Sequence, residues 1–594
     1  MNAEKVPPPA LGAKLEANGT RFRAFVTAAK TCSVRLYDDD GRELSTHAMA
    51  DSGDGYFETT LAGVGGGARY RFVVGDRALP DPYARYLPDG VHGAAAVIGT
   101  SFPWRHGAGI SRPLEEQVLY ELHVGTFTTE GTYDAARERL RELAELGITT
   151  IELLPIAAFP GARGWGYDGV ALFAPFAGYG TPDDLRRFVD EAHGLGLGVF
   201  LDVVYNHFGP SGNYLASYSE EYFTREADTP WGEAPNFACR AMRQCVLDNA
   251  HYWLTEFRFD GLRLDATPAI FDPSPYPILR ELADSVSRIE PRKILIGEDD
   301  RNDPEIMRTL GLDGVWSDDF HHQVHAALTG ERDGYYESYE PGIEGIAETV
   351  SRGWLYEGQF YSFTGKLRGK SAHGLPARSF VYYIQNHDQV GNRAWGERLS
   401  SHISLDAYCA ASTLLLFLPM TPLLFMGQEW AASSPFLYFT DHDEELGRLI
   451  SAGRRKEFEA FSDFSDSASR SLIPDPQRQD TFEQSRLRWS ERHDGVHRRV
   501  LELYRELLRL RRADPVLRNG ARERLRIEVR NGLLTARQWF ESEQRLLLVN
   551  FSDAAITLAQ GEEVTRGLRP MLTSGLPLDG DRIPARTAIL LGAP

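Results

Sequence analysis

The chain has 594 residues, of which 42% are hydrophobic, and a formal net charge of −20 at pH 7. This length allows about four ordinary domains, or fewer if one of them is a large α/β barrel. The acidic balance argues against a polyanionic partner, so we predict no nucleic-acid binding, because phosphate recognition draws on clustered Lys and Arg.

The first 100 residues are predicted to form an N-terminal β-sandwich. Apolar and polar residues alternate in 21–26, 33–37 and 69–74, and a glycine-rich turn lies at 63–67. This alternation is typical of short antiparallel strands packed as two sheets. Residues 101–117 are predicted to connect the sandwich to the next domain.

From residue 118 to 512 the pattern changes to short, nearly continuous apolar strands that alternate with amphipathic helices. Such strands are buried on both faces, which predicts a parallel (β/α)8 TIM barrel. The span exceeds the ~250 residues of a plain barrel, so we expect long loops after some strands. The eight predicted strands are 118–122, 149–155, 198–205, 261–266, 294–298, 314–318, 379–385 and 421–427.

One barrel helix and the C-terminal domain are also predicted from local patterns. Residues 133–147 are expected to form a helix that buries Leu140 and Leu143 and ends at Gly147. Alternation then returns near the end of the chain, so residues 513–594 are predicted to form a C-terminal β-sandwich. The strands of this domain are predicted at 533–540, 545–551 and 586–591.

The number of cysteines and the apolar segments indicate where in the cell the protein is located. Four cysteines are too few to stabilise so long a chain by disulfide bonds. The segment MNAEKVPPPA at the start lacks the apolar core of a signal peptide. The apolar stretch 409–426 contains Pro419 and Pro422, so we interpret it as a buried helix that leads into a buried strand. We therefore predict a cytoplasmic protein that does not bind a membrane.

Acidic residues lie at the carboxyl ends of several predicted barrel strands. These ends form one shared face, where the active sites of such barrels lie. Burying several charges is costly unless they pair or react, so their concentration indicates an active site. The acidic residues are Asp202, Asp265, Glu298 and Asp388, and the same segments contain Arg263, His207 and His387.

The residue types favour glycoside cleavage over other hydrolytic chemistry. The sequence contains no GxxxxGK[ST], no HExxH and no paired CxxC. It therefore lacks the usual motifs for phosphoryl transfer and zinc-dependent hydrolysis. Glycoside cleavage needs one acid and one carboxylate that flank the bond. A third carboxylate can stabilise the positive charge that develops on the sugar.

Four segments resemble, in chain order, the signature regions of the α-amylase superfamily, glycoside hydrolase family 13. They are DVVYNH (202–207), GLRLDA (261–266), the Glu of IGEDDRND (296–303) and NHD (386–388). The order of all four makes the resemblance specific, and it implies a retaining glycosidase on a TIM barrel.

Within the superfamily, the resemblance is closest to members that release trehalose from maltooligosyl trehalose. One departure occurs at DATPAI (265–270), because relatives commonly have His or Lys about three residues after the nucleophile. The segments that carry the closer resemblance are 164–193, 203–215, 229–237, 317–331 and 385–400.

The resemblance implies a role for each acidic residue of the trio. Asp265 is implied as the nucleophile, Glu298 as the general acid/base and Asp388 as the stabiliser of the transition state. Arg263 precedes Asp265 by two residues on one strand, so we expect it on the same face, where it would keep Asp265 ionised. Glu298 must hold a proton near neutral pH, and neighbouring carboxylates are expected to raise its pKa.

The resemblance also implies a set of substrate-binding residues. The two histidines are expected to bond sugar hydroxyls, the tyrosine to stack on the attacked sugar ring, and the tryptophan to recognise trehalose on the leaving-group side. These residues are Tyr167, His207, Trp231, Arg263 and His387.

Asp202 and Asn206 are expected to orient the rim of the site. In some relatives the corresponding Asn also serves a calcium site, but no evident set of ligands accompanies Asn206 here. We therefore predict neither a metal ion nor a cofactor.

The expected substrates are maltooligosyl trehalose and related α-glucans. Alternatives in the same fold are a glycogen branching enzyme and a debranching enzyme, and an alternative of another class is a catalytically inactive glucan-binding protein. The N-terminal sandwich is expected to cap the barrel, with glucan binding as its alternative role.

Overall fold

Eight parallel strands form a closed barrel in the middle of the chain, in a computed structural model that describes residues 10–229, 232–464, 466–558 and 567–593. Each strand pairs with its neighbours in chain order, and the first pairs with the last. All eight strands lie where the sequence predicted them. They are β1 (Leu119–Leu122), β2 (Thr150–Leu153), β3 (Gly198–Val203), β4 (Gly261–Leu264), β5 (Ile294–Glu298), β6 (Gly314–Trp316), β7 (Phe380–Tyr382) and β8 (Thr421–Phe425).

The barrel interior changes from apolar to charged along the strands. Leu119 and Phe200 belong to one buried apolar cluster near the amino ends of β1 and β3. Because side chains alternate along a strand, Glu121 and Asp202, two residues further on, lie on the same inward side. Both are almost completely buried. The apolar layer therefore supports a charged layer at the carboxyl ends of the strands.

Helices surround the barrel. Several pack an apolar stripe inward, as in Pro182–Gly194, where Leu185, Phe188 and Val189 are buried. The main helices are Tyr133–Arg137, Leu140–Leu146, Pro182–Gly194, Arg240–His251, Ile278–Val286, Asp318–Thr329, Ile343–Arg352, Leu405–Phe417, Glu444–Glu457 and Gly495–Ala513.

The helix predicted at 133–147 is interrupted. It forms two helices, Tyr133–Arg137 and Leu140–Leu146, with a turn at 138–139. At this turn the Arg139 N–H donates a 3.0 Å hydrogen bond to the carbonyl of Ala136, three residues back, and the Arg139 guanidinium lies 4.7 Å above the Trp489 ring. The second helix buries Leu140 and Leu143 and ends at Gly147 with φ 111°, as predicted.

Two antiparallel sheets form the predicted N-terminal sandwich. Phe22 of one sheet packs edge-on against Tyr70 of the other, with ring centroids 5.0 Å apart. The first sheet has the order Gly12–Glu16, Gly19–Phe25, Tyr56–Ala62 and Ala50–Gly53. The second has the order Glu43–Ala48, Cys32–Tyr37, Arg69–Val74 and Arg77–Leu79, with Ala95–Ala96 also paired to Arg69–Val74.

The C-terminal region contains a five-stranded antiparallel sheet and a short two-stranded sheet. Gln538 of the larger sheet donates a 2.5 Å hydrogen bond to the Phe417 carbonyl at the end of a barrel helix, so this sheet lies directly against the barrel. The larger sheet has the order Leu525–Arg530, Leu533–Phe540, Glu543–Asn550, Thr587–Gly592 and Arg569–Thr573, and the smaller one pairs Ile556–Thr557 with Arg582–Ile583.

The apolar stretch 409–426 has the structure that we predicted. It contains the end of the buried helix Leu405–Phe417 and all of β8. Within the described ranges, no helix combines the length and apolar character needed to cross a membrane. All four cysteines are buried and unpaired.

Glu429, after β8, makes stability depend on pH. It is 2% exposed and accepts hydrogen bonds of 2.9 and 3.2 Å from the Tyr120 hydroxyl. Burial raises its pKa from 4.5 to about 7. The folded state therefore holds the Glu429 proton more tightly than the unfolded state does. This contribution to the free energy of unfolding is fully present below about pH 4.5 and is lost as the pH rises through 7.

We therefore expect Glu429→Gln to gain stability relative to wild type as the pH rises. The gain between pH 4.5 and pH 8 should approach about 3 kcal/mol, which is the free energy equivalent of the raised pKa. Urea unfolding of both proteins at the two pH values measures it. Parallel pH dependence of the two proteins would contradict the assignment.

Candidate active site

Arg263 on β4 joins the charged groups at the carboxyl end of the barrel. Its Nη1 donates hydrogen bonds of 2.8–3.0 Å to both carboxylate oxygens of Asp202 and one of 2.8 Å to Asp265. Its Nη2 donates one of 2.8 Å to Glu298. The guanidinium lies 4.2 Å above the Trp316 ring, which fixes its plane. One completely buried cation therefore holds three carboxyl groups from three strands.

Asp265 directly follows β4 and is fixed from two sides. Arg263, two residues earlier, reaches the same face as predicted, and Asn206 donates 2.7 and 2.8 Å hydrogen bonds to the Asp265 carboxylate and carbonyl. Ala266 has a left-handed φ of 37°, unusual for a residue with a side chain. In this conformation its N–H donates a 2.9 Å hydrogen bond to Glu298. Backbone strain therefore serves to position the neighbouring acid.

Glu298 is the last residue of β5. Burial raises the pKa of its carboxyl group well above the ordinary value, and the negative charges of Asp265 and Asp388 add to that effect against the opposing charge of Arg263. The neighbouring carboxylates raise this pKa as predicted, but burial is the larger cause. Glu298 is therefore suited to donate a proton near neutral pH.

Asp388 lies in the first turn of the short helix His387–Gly391, which follows β7. Asn386 caps this helix by accepting a 2.8 Å hydrogen bond from the Gln389 N–H. Burial alone would raise the pKa of Asp388, but the adjacent positive charge of His387 lowers it below its ordinary value. Asp388 therefore stays ionised beside a protonated Glu298.

Tyr167 reaches the same centre from the long loop after β2. Gly166, with φ 104°, permits the preceding turn, since a Cβ there would lie 2.0 Å from the Pro155 carbonyl oxygen. The Tyr167 hydroxyl donates a 2.6 Å hydrogen bond to Asp202, and its ring stacks on that of His387 at 5.3 Å. Burial raises the pKa of Asp202 to about 7.

His207 lies behind Tyr167 and is 2% exposed. Its Nε2 is 2.9 Å from the Tyr167 carbonyl oxygen, and its Nδ1 contacts the side-chain oxygen of Asn206. In this structure both ring nitrogens of His207 therefore contact protein groups. This places His207 as a support for Tyr167 and for the amide that holds Asp265.

Accessibility separates the supporting groups from those that can meet a substrate. The Arg263 side chain is 0% exposed, whereas those of Asp265, Glu298 and Asp388 are 11%, 25% and 30% exposed. Three carboxyl groups at the barrel mouth, of which one favours the protonated form, can perform acid-assisted displacement at a sugar carbon.

Sequence reasoning missed three contributors. Glu121 on β1 binds His387, Trp316 on β6 supports Arg263, and Thr267 donates a 2.7 Å hydrogen bond to the Glu298 carbonyl. Glu121 carried the same signal as the predicted acidic residues, because it lies near the carboxyl end of its strand. Thr267 begins the 3-10 turn Thr267–Ala269 at the position where the sequence departs from the superfamily pattern.

The predicted selectivity residue Trp231 lies outside the described residues. The strands on either side of it, Phe223–Thr229 and Gly232–Pro235, pair as an antiparallel hairpin between β3 and β4. Within the described part of the chain, no three His, Cys, Asp or Glu side chains are grouped as metal ligands. The expectation of a site without metal or cofactor stays a prediction.

Two domain families match the chain. The alpha amylase catalytic domain matches residues 100–239, and carbohydrate-binding module 48, the isoamylase N-terminal domain, matches residues 10–84. The second match covers most of the N-terminal sandwich.

Whole-length relatives are also similar. A malto-oligosyltrehalose trehalohydrolase of Deinococcus radiodurans is 51% identical over 91% of this chain and 89% of that protein. One of Saccharolobus solfataricus is 40% identical over 84% of this chain and 86% of that protein. The crystal structure of a Salmonella typhimurium protein named as a candidate alpha amylase is 36% identical, with a TM-score of 0.89 over 98% of this chain and 100% of that one.

Proposed function

Since this chain belongs to the malto-oligosyltrehalose trehalohydrolase family, we propose that it hydrolyses the α-1,4-glucosidic bond next to the terminal trehalosyl unit of maltooligosyl trehalose. The products are trehalose and a shortened maltooligosaccharide. The observation that carries the proposal is the attachment of Asp265 and Glu298 to one buried arginine at the barrel mouth. This arrangement pairs the nucleophile Asp265 with a cation and holds it beside Glu298, whose burial favours the protonated form.

The first step forms a covalent intermediate. Glu298 gives its proton to the glycosidic oxygen, which leaves as a hydroxyl of trehalose, while Asp265 attacks the anomeric carbon to form an ester. Asp388 faces the positive charge that develops on the sugar ring. It can do so because the positive charge of His387 favours its ionised form.

The second step reverses the role of Glu298. When Asp265 becomes an ester it loses its negative charge, and with it one cause of the high pKa of Glu298. Glu298 then accepts a proton from water, whose oxygen attacks the anomeric carbon and breaks the ester bond. Two inversions at this carbon leave the released maltooligosaccharide with an α-anomeric end.

Of the other predicted binding residues, some are proposed to contact the sugar and others to support the side chains that do. We propose that the half-buried Tyr167 packs against the attacked sugar ring. His387 is completely buried and its ring nitrogens contact Glu121 and Tyr167, so we propose that it supports Asp388 instead of binding sugar hydroxyls as the sequence predicted. Arg263 and His207 are buried, so we propose that they act by holding the carboxylates and Tyr167.

The substrate class is α-glucans, and the N-terminal domain belongs to a carbohydrate-binding family. We propose domain limits at 1–100, 101–117, 118–512 and 513–594, with the first domain as a cap on the barrel. A cytoplasmic location is also proposed, and the four unpaired cysteines support it.

Product analysis tests the function. Purified protein is incubated with maltooligosyl trehalose and, separately, with maltopentaose. Free trehalose from the first substrate, with little cleavage of the second, is the expected result. Branched glucans would indicate a branching enzyme, and absence of reaction with every α-glucan would indicate a binding protein.

A retaining mechanism makes a stereochemical prediction. The reducing end of the released maltooligosaccharide should be α before mutarotation, because double displacement conserves configuration. Proton NMR in the first minutes of reaction measures the anomer. An initial β product would exclude the ester intermediate.

Trp231→Ala is expected to reduce selectivity for the trehalose-containing substrate. An indole can pack on sugar C–H groups and donate one N–H, so the loss of Trp231 should reduce kcat/KM for maltooligosyl trehalose by a factor equivalent to about 1–3 kcal/mol. Cleavage of plain maltooligosaccharides should change much less. An equal loss on both substrates, or a lower Tm with an unchanged ratio, would show that Trp231 only supports the loop.

A further inference from the structure

The carboxyl group of Glu121 on β1 contacts His387 at two points across the barrel. One carboxylate oxygen is 2.5 Å from His387 Nδ1, and the other accepts a 2.8 Å hydrogen bond from the His387 backbone N–H. Both residues are at most 1% exposed. This bidentate contact joins positions 266 residues apart and fixes the imidazole beside Asp388.

Both ring nitrogens of His387 face oxygen atoms that can accept a proton. One oxygen of Glu121 accepts from the His387 backbone N–H, and the other, as a carboxylate oxygen, can accept from Nδ1. On the other side, Nε2 is 2.8 Å from the Tyr167 hydroxyl oxygen and 3.3 Å from Asp388. Tyr167 gives its one proton to Asp202, which also accepts from Arg263. When Asp202 is ionised, Tyr167 therefore has no proton left to give to Nε2, and the arrangement favours a donor at Nε2 and an imidazolium ring.

The groups around His387 agree with this charge. Burial would lower the pKa of His387, but the charges of Asp388 and Glu121 outweigh it and raise the pKa well above its ordinary value. Trp165 and Trp316 contribute uncharged rings at 5.6 and 6.1 Å. The titratable groups that face His387 are Glu121 on β1, Glu152 on β2, Asp202 on β3, His123, Tyr167 and Asp388.

Glu152 is a natural counterpart of Glu121, because the two are directly opposite on β1 and β2. Glu152 is 1% exposed, and neither of its carboxyl oxygens has a hydrogen-bond partner among the described residues. Burial raises its pKa well above the ordinary value, so it is a neutral acid. Of the two opposed glutamates, only Glu121 has a carboxylate that contacts His387.

We propose that Glu121 is a positioning residue that keeps His387 doubly protonated and thereby maintains the ion pair between His387 and Asp388 at the catalytic centre. The proposal deepens the proposed function and rests on it for the role of Asp388. Glu121 acts only through His387, since Tyr167 and Asp388 lie on the opposite side of the ring.

Neutron diffraction of the deuterium-exchanged wild-type protein tests the protonation directly and needs no substrate. Deuterium on both Nδ1 and Nε2 of His387 is expected. Deuterium on Glu121 with a bare Nδ1, or a bare Nε2, would overturn the proposal even if the enzyme releases trehalose as proposed. If the enzyme fails to release trehalose, this measurement still decides the proposal.

Three variants test the consequence for catalysis. Glu121→Gln keeps size and one acceptor but loses the charge, so His387 becomes neutral more readily and Asp388 needs a higher pH to ionise. The acid limb of the kcat/KM profile should move up by about one pH unit, which is about a tenfold loss of activity below that limb. Glu121→Asp, which keeps the carboxylate, should leave the acid limb nearer to its wild-type position than Glu121→Gln does.

Glu152→Gln is the matched control, because it makes the same substitution at the opposed position. Since Glu152 is already neutral, its profile should coincide with that of wild type. A Glu121→Gln profile that is lowered equally at all pH values, or one that the Glu152→Gln profile matches, would show that Glu121 only fills the barrel and would overturn the proposal.

Discussion

Asp265→Asn is expected to lower kcat on maltooligosyl trehalose by on the order of 10⁴-fold or more, because the amide cannot form the ester intermediate. Glu298→Gln is expected to lower it by about 10²–10⁴-fold, the usual contribution of a general acid. Both variants should fold, since the amides retain an oxygen that can accept from Arg263. Steady-state kinetics measures kcat, and circular dichroism shows whether each variant is folded.

The double variant should lose little more than Asp265→Asn alone, because residues that act as one unit are not additive. Asp284→Asn is the control for the first substitution. Its carboxylate lies on the barrel helix Ile278–Val286, where it pairs with Arg280 at 3.0 Å, and its loss should leave kcat unchanged. If either single variant of the trio kept more than about a tenth of wild-type kcat, the assigned role would be wrong.

Arg263→Met is expected to lower the free energy of unfolding by about 3–5 kcal/mol near pH 8, the usual effect of removing one partner from a buried ion pair. Asp202 and Glu298 would remain buried without their cation. At pH 5 the loss should be smaller, since the Asp202 carboxyl group, whose pKa is about 7, then holds a proton and needs no cation. Urea unfolding at the two pH values measures the difference.

Arg263→Lys separates charge from geometry. An ammonium group supplies the positive charge but cannot reproduce the four hydrogen bonds that the planar guanidinium makes to three carboxyl groups. It should therefore recover stability relative to Arg263→Met but recover little of kcat. Equal losses of stability at pH 5 and pH 8 in Arg263→Met would contradict the electrostatic explanation.

The barrel and its acidic rim could be predicted because both depend on local patterns. Strands buried on both faces are apolar throughout, so all eight were recognisable from runs of a few residues. Arg263 and Asp265 could be placed on one face because side chains alternate along a strand. The positions of Glu298 and Asp388 followed from the ends of β5 and β7.

Contacts between distant segments could not be predicted. Nothing in VLYEL indicates that Glu121 meets His387, since that contact depends on closure of the barrel between β1 and β8. The contact of His207 with Tyr167 depends on the course of a long loop. The contact of Arg139 with Trp489 joins positions more than 300 residues apart.

The pairing of β1 with β8 has a consequence for synthesis of the protein in the cell. Roughly 300 residues separate the two strands, so at about 5–20 residues per second β1 leaves the ribosome some 15–60 s before its second partner. During that interval one edge of the sheet is open to pairing with other chains. Glu121 places an acidic side chain on that edge strand, a feature that discourages edge-to-edge pairing.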